Sequence, residues 1–251
     1  MITVKTVPNA AVTVKFLNQV KKLLFQEDKG QYIGFVAASY RATKGIYPLV
    51  VEVANGNQKY MVEQKIEIVG RQFVEQRIRV PEQTRKKVLT PANQANDAKV
   101  TAAAREKAET KLVAPLWEGP FVWPLSGRIT TQFGMIRYVN NIENGRHSGW
   151  DIAAPSGTPV VSINKGQVIY AGELKVSGNT VIVHHGLDLY SSYLHLSKIN
   201  VTEGQMIDKG QVVGAVGMTG LATGPHLHLT IRVGDTPVDP GLFIGKTVAW
   251  E

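Results

Sequence analysis

Between Pro120 and Trp250 the sequence never sustains a helical period, and this limits the fold more than any other feature. In its place stand short runs such as "TPVVSI", "GQVIYAGEL", "NTVIVHHG", "LYSSYLHLS", "GQVVGAVG" and "HLHLTIRVG". Such runs read as strands, and the glycines between them as tight turns. Residues 1–80 carry the same signature in "ITVKTV", "AVTVKFL", "YIGFVAASY", "YPLVVEVA" and "QKIEIVG", with Asn55-Gly56 as a hairpin signal. The chain is therefore read as all-β: an N-terminal β-sandwich over residues 1–80 and a C-terminal antiparallel β-sheet domain over residues 116–251. Residues 81–115 join them as a helical connector. Thr90 serves as N-cap, Pro91 takes the first helical position, and the Ala-, Lys- and Glu-rich run beyond has few large apolar residues. A helix of that kind lies on a neighbour or bridges two domains.

Composition narrows the chemistry. There is no cysteine, which excludes disulfides, thiolate zinc sites and cysteine nucleophiles. No apolar run approaches the ~18–20 residues of a membrane span. The opening "MITVKTVPNAAVTVKF" reads as a strand and lacks the basic-then-apolar layout of a secretory signal. The formal charge of +8 is uneven: residues 1–115 hold 19 Lys/Arg against 10 Asp/Glu, and residues 116–251 hold 9 against 10. A basic front half suits a polyanionic partner or a solvated face. No RNP-type strand, helix-turn-helix spacing or zinc-finger pattern accompanies it, so nucleic acid is not the expected partner.

All six histidines, at positions 147, 184, 185, 195, 226 and 228, fall in the second half. In "TGPHLHLTIRV" strand alternation puts His226 and His228 on one face about 6.6 Å apart, with Leu227 and Leu229 opposite. Both can bind one metal, or one can bind while the other reaches a substrate. In "GRHSGWDIAAPSGTPV" three residues separate His147 from Asp151, and a short turn through Gly149 can bring imidazole and carboxylate onto one ion. Nitrogen and oxygen ligands without sulfur suit an open catalytic zinc site of three protein ligands plus water. His147, Asp151 and one of the later pair would complete it. His195, in "YSSYLHLSKI", reads as a buried structural histidine, a general base or an oxyanion donor. His184 and His185 read as supporting residues, with His185 facing the site.

Three segments, "HSGWDIAAPSGTPV", "YLHLS" and "GAVGMTGLATGPHLHLTIRV", closely resemble the lysostaphin-type zinc endopeptidases. These are bacterial enzymes that cut peptide bonds in the stem or cross-bridge peptides of peptidoglycan. The resemblance runs from Trp117 to Val238, includes the lead-in "FVWPLSGRITTQFG", and keeps the three motifs in order. In the N-terminal half "KGIYPLVVEVANG" is similar to bacterial immunoglobulin-like domains. The peptidase resemblance implies zinc (Zn2+) held by His147, Asp151 and His228, with His226 and His195 as catalytic histidines. Tyr193 matches the tyrosine usually found two residues before the latter. It further implies a peptidoglycan hydrolase outside the cytoplasm, in the cell envelope or secreted, acting on peptidoglycan peptides. The basic half is then expected to meet anionic wall polymers.

Two departures stand out. Leu229 and Thr230 replace the aromatic and Glu that often follow His-x-His, a change expected to bear on support or substrate fit. "GMIRYVNNIENGR" is read as a longer loop beside the site. Two rivals remain at this stage. One is a non-catalytic envelope module on the same fold. The other is a swinging-arm carrier modified at Lys209, suggested by "VTEGQMIDKGQVVGAVG".

Overall fold

A computed structural model describes residues 1–109 and 114–248. The chain divides into two compact units, residues 1–72 and 73–248. Strands dominate both, and the class is all-β.

The first unit holds two small antiparallel sheets. One runs Gln19–Lys22, Ala11–Phe16, Gly45–Asn55, Gln58–Ile68, and the other Ile2–Val4, Gln31–Gly34, Leu24–Gln26. Alternation places Val12, Val14 and Phe16 on the inner side, where they pack with Leu23, Tyr32, Leu49 and Val53. The Asn55-Gly56 signal marks a real hairpin, in which Asn55 pairs with Gln58 and Gly56 supplies the positive φ of 57° that the turn needs.

The second unit is built on one large antiparallel sheet. Its strands follow the order Met206–Ile207, Gly166–Leu174, Gly178–His184, Leu189–Leu196, His226–Val233, Trp150–Ala153, Arg128–Thr131. Leu227, Leu229 and Ile231 pack with Val181, Val183 and Tyr193 on one face, all fully buried. The other face of His226–Val233 carries His226, His228 and Thr230. A three-stranded sheet adds the hairpin Ile136–Val139/Ile142–Arg146, with Glu75–Ile78 running parallel to its first strand. The segment read as a loop is therefore a hairpin. Asn140 and Asn141 turn it at φ 49° and 67°, a conformation that Asn tolerates better than most residues.

Helices α1 (Glu82–Val88) and α2 (Pro91–Glu109) follow. The Thr90 hydroxyl accepts from the Asn93 N–H at 3.1 Å, as an N-cap should. Helix α2 lies on the large sheet, with Ala104 and Ala108 against Ile169, Ile182 and Tyr190. With so little apolar side chain to bury, it is held by ions. The buried Asp97 carboxylate accepts the backbone N–H groups of Lys175, Val176 and Ser177 at 2.9–3.0 Å, and Arg105, also buried, donates to Asp235. No helix among the described residues is long and apolar enough to cross a membrane.

Removing a carboxylate that satisfies three N–H groups costs about 2–3 kcal/mol. Asp97→Ala is expected to lower the urea midpoint of the second unit accordingly and to speed amide exchange in α2 first.

Candidate metal centre

The register of the central strands assembles the site. Asp151 pairs directly with His228, and Leu194 pairs with His228 from the other side. His147 arrives over a turn whose Gly149 lies hard against the neighbouring strand: a Cβ there would fall 2.0 Å from the Leu229 carbonyl oxygen. Only glycine lets the His147–Asp151 turn pass that close.

His195 reaches the site by a different device. Counted by alternation, it would share the face of Tyr193, away from His228. The Leu189–Leu196 strand, however, carries one extra residue relative to Gly178–His184 between the Tyr193 and Leu196 pairings. His195 sits there at φ 63°. Bulges re-aim side chains in this way. Its ring centroid lies 4.9 Å from that of His226 and 6.1 Å from that of His228.

Hydrogen bonds to backbone carbonyls fix three of the imidazoles. The Nδ1–H groups of His147, His195 and His226 donate to the carbonyls of Gln132, Thr219 and Gly224 at 2.9, 2.9 and 2.8 Å. A carbonyl only accepts, so each Nδ1 carries the proton and each Nε2 offers a bare lone pair while the ring is neutral. His228 is turned the other way. Its Nε2 lies 2.8 Å from the Thr230 hydroxyl and 3.3 Å from that of Ser148, and its Nδ1 faces the site. The departure at Thr230 thus falls on a residue that supports His228.

The His147 Nε2, His228 Nδ1 and Asp151 Oδ1 atoms lie 2.8–2.9 Å from one another and are buried. With both imidazoles in the neutral form that binds metal, His147 Nε2 has no proton to give, and at most one proton, on His228 Nδ1, can enter the triangle. Hydrogen bonding therefore cannot satisfy all three contacts, whereas a cation accepting three lone pairs can. The residues fit a metal ion with nitrogen and oxygen preference.

The protonation states agree. Burial pushes the Asp151 carboxyl up, but its contacts with His147 and His228 outweigh this and hold it well below the usual carboxylate range. Burial drives His195 down to about 3, helped by repulsion from His226 and His228. Burial likewise takes His228 to about 4, partly opposed by Asp151. Neutral imidazoles are the form that binds metal.

Residues 145–240 match Peptidase family M23. This stretch of the chain belongs to that family. The chain is 37% identical over 153 residues to the cell division protein DipM of Caulobacter vibrioides, covering 58% of this chain and 24% of that protein. It is 44% identical over 93 residues to the peptidoglycan DD-endopeptidase ShyA of Vibrio cholerae, covering 37% and 22% respectively. The chain thus spans about a quarter of the length of these relatives. A crystal structure assigned to peptidase M23 from Pseudomonas aeruginosa superposes with a TM-score of 0.68 at 28% identity, over 97% of this chain and 92% of that one.

Of the other residues singled out in the M23 domain, His185 falls elsewhere than the sequence suggested. His185 does not face the metal group. It donates from Nδ1 to the Lys165 carbonyl and meets Ser191 at 2.8 Å, on the side of Tyr193. Tyr193 is structural too, its hydroxyl accepting from the Ile163 N–H. His184 stacks on Tyr190. Lys209, where a carrier would be modified, donates to the Glu118 carbonyl.

Sequence reading missed Arg137 altogether. From the hairpin, its Nη2 donates to Asp151 Oδ2 at 2.9 Å and its Nε to Gln76 Oε1 at 3.0 Å. Gln76 in turn donates to the Thr131 hydroxyl. The Asn-Asn pair between two alternating runs was the available signal for the hairpin that presents Arg137.

A divalent metal at a hundredfold excess over its Kd stabilises the protein by about 2.7 kcal/mol. Thermal unfolding is expected to show that gain as a raised Tm, and His147→Ala or Asp151→Ala to abolish it. His184 and His185, lowered by burial to about 4 from 6.5, set a pH dependence. The unfolded chain takes up protons near pH 6.5 that the folded chain refuses, so their contribution is complete above pH 6.5 and declines as the pH falls towards 4. Urea titrations across this range are expected to show a shallower decline for His185→Gln.

Proposed function

We propose that the protein is a zinc-dependent endopeptidase that hydrolyses peptide bonds in peptidoglycan stem or cross-bridge peptides. The observation that carries this reading is the buried triangle of His147, Asp151 and His228 with two further imidazoles beside it, His226 with its Nε2 3.7 Å from Asp151 Oδ1 and His195 with its ring 4.9 Å from that of His226. Zinc held by the three residues supplies a Lewis acid and brings the pKa of water towards ~7.

The chain's own residues do the rest. In their resting tautomers His195 and His226 accept a proton at Nε2, and the carbonyls of Thr219 and Gly224 keep each ring aimed and stabilise it once charged. The pair can therefore take a proton from water and deliver it to the leaving amine. His226 is the more exposed of the two, its side chain 16% accessible, and stands at the substrate side. The site is set on paired strands, so its geometry exists before substrate arrives.

The relatives' names agree with this substrate class, ShyA being a peptidoglycan DD-endopeptidase. Such work belongs outside the cytoplasm, in the envelope or as a secreted protein. The excess of Lys and Arg in residues 1–115 supports a contact with anionic wall polymers. Zinc, the five site residues and the division into a sandwich, connector and peptidase domain all belong to this proposal.

Mass spectrometry of fragments released from purified peptidoglycan by the zinc-loaded chain tests it. New amine ends are expected, and none from His228→Ala. His195→Ala and His226→Ala are expected to keep their metal while losing about 10²–10⁴-fold in turnover. If walls of several cross-link types release nothing, the proposal fails.

A further inference from the structure

A cavity of about 280 Å3 opens beside the metal group, walled by Gln76, Arg137, Thr131, Asp151, His226 and the Leu221–Pro225 loop. Much of the wall is small or apolar, with Ile78, Ala153 and Pro225 contributing, so it suits one short residue rather than a long side chain. Arg137 is the conspicuous exception. Its side chain is only 20% accessible, yet just two of its nitrogens are engaged, Nε with Gln76 and Nη2 with Asp151. Its Nη1 has no hydrogen-bond partner among the described residues. A guanidinium fork held rigidly on one side and unsatisfied on the other is shaped for a planar anion.

The charge balance of the cavity points the same way. Arg137 contributes +1 and Asp151 −1, and no other acidic side chain lines the walls. A divalent cation on His147, Asp151 and His228 leaves two net positive charges in a partly enclosed space. Coulomb energy between charges grows steeply as water is excluded, so an incoming anion is favoured over a neutral or cationic group.

We propose that this cavity is a carboxylate subsite, in which the free nitrogen of Arg137 receives a carboxylate borne by the substrate residue next to the scissile bond. The carboxylate comes either from the peptide C-terminus or from an acidic side chain. The proposal rests on the peptidase reading for its meaning, but its test does not depend on turnover.

Binding to the full chain in its metal-free form is measured by NMR titration and calorimetry. The probes are N-acetyl-D-alanyl-D-alanine against its C-terminal amide, and a D-glutamyl peptide amide against its D-glutaminyl counterpart. The metal-free chain is expected to bind an acid form about tenfold more tightly than its neutral partner, and Arg137→Gln to erase the difference. A preference confined to the first pair identifies the C-terminal carboxylate, and one confined to the second identifies the side chain. Equal binding within both pairs overturns the proposal, as does a preference that survives in Arg137→Gln. If Arg137→Gln fails to unfold cooperatively, Arg137→Lys, which keeps the charge and loses the fork, is expected to weaken the preference, and an unchanged preference overturns the proposal. Because these readouts use metal-free protein, they separate this subsite from the hydrolase reading, which the peptidoglycan digest decides alone.

Discussion

The site depends on a modest interaction repeated three times: a backbone carbonyl capturing the Nδ1–H of an imidazole. Each capture fixes the ring's orientation and tautomer at once, so that His147, His195 and His226 all turn an unprotonated Nε2 inward. The carbonyls come from Gln132, Thr219 and Gly224, residues with no chemistry of their own. What matters is where their backbone runs. The closeness of Gly149 to Leu229 and the bulge at His195 place imidazoles where those carbonyls can hold them.

The sequence made the broad plan readable because period-two alternation survives directly into structure. His226 and His228 share a face, Leu227 and Leu229 the other, and the His147–Asp151 turn closes as its spacing allows. Alternation also shows where reading stops. His195 counts onto the wrong face, and one inserted residue corrects it. A bulge has no signature in composition: the residues alone left His195 open between a structural and a catalytic role, and the family resemblance favoured the second. His185 failed in the opposite sense. Its neighbours in sequence are near the centre of the sheet, but the Lys165 carbonyl and Ser191 claim it on the far side.

Helix α2 illustrates a second limit. Its scarcity of large apolar residues left two arrangements open, a helix lying on a neighbour or one bridging two domains. The structure seats it on the sheet through alanines, with Asp97 and Arg105 buried as anchors. Buried charges are rare unless satisfied, and no pattern in the sequence announces that three backbone N–H groups some 80 residues away will satisfy this one. Arg137 is of the same kind. Its meaning lies in Asp151 and Gln76, and neither contact is a matter of spacing.

Gln76 carries a consequence for how such chains are cut and recombined. It lies well before residues 145–240, the stretch that the family model matches, yet it sits two hydrogen bonds from the carboxylate of the metal group. The strand Glu75–Ile78 that bears it is stitched in parallel to the hairpin bearing Arg137. A cassette trimmed to residues 116–251 would inherit every histidine and Asp151 but leave this strut behind. The working edge of the domain is set by its scaffolding, and it lies upstream of the stretch that the family model matches.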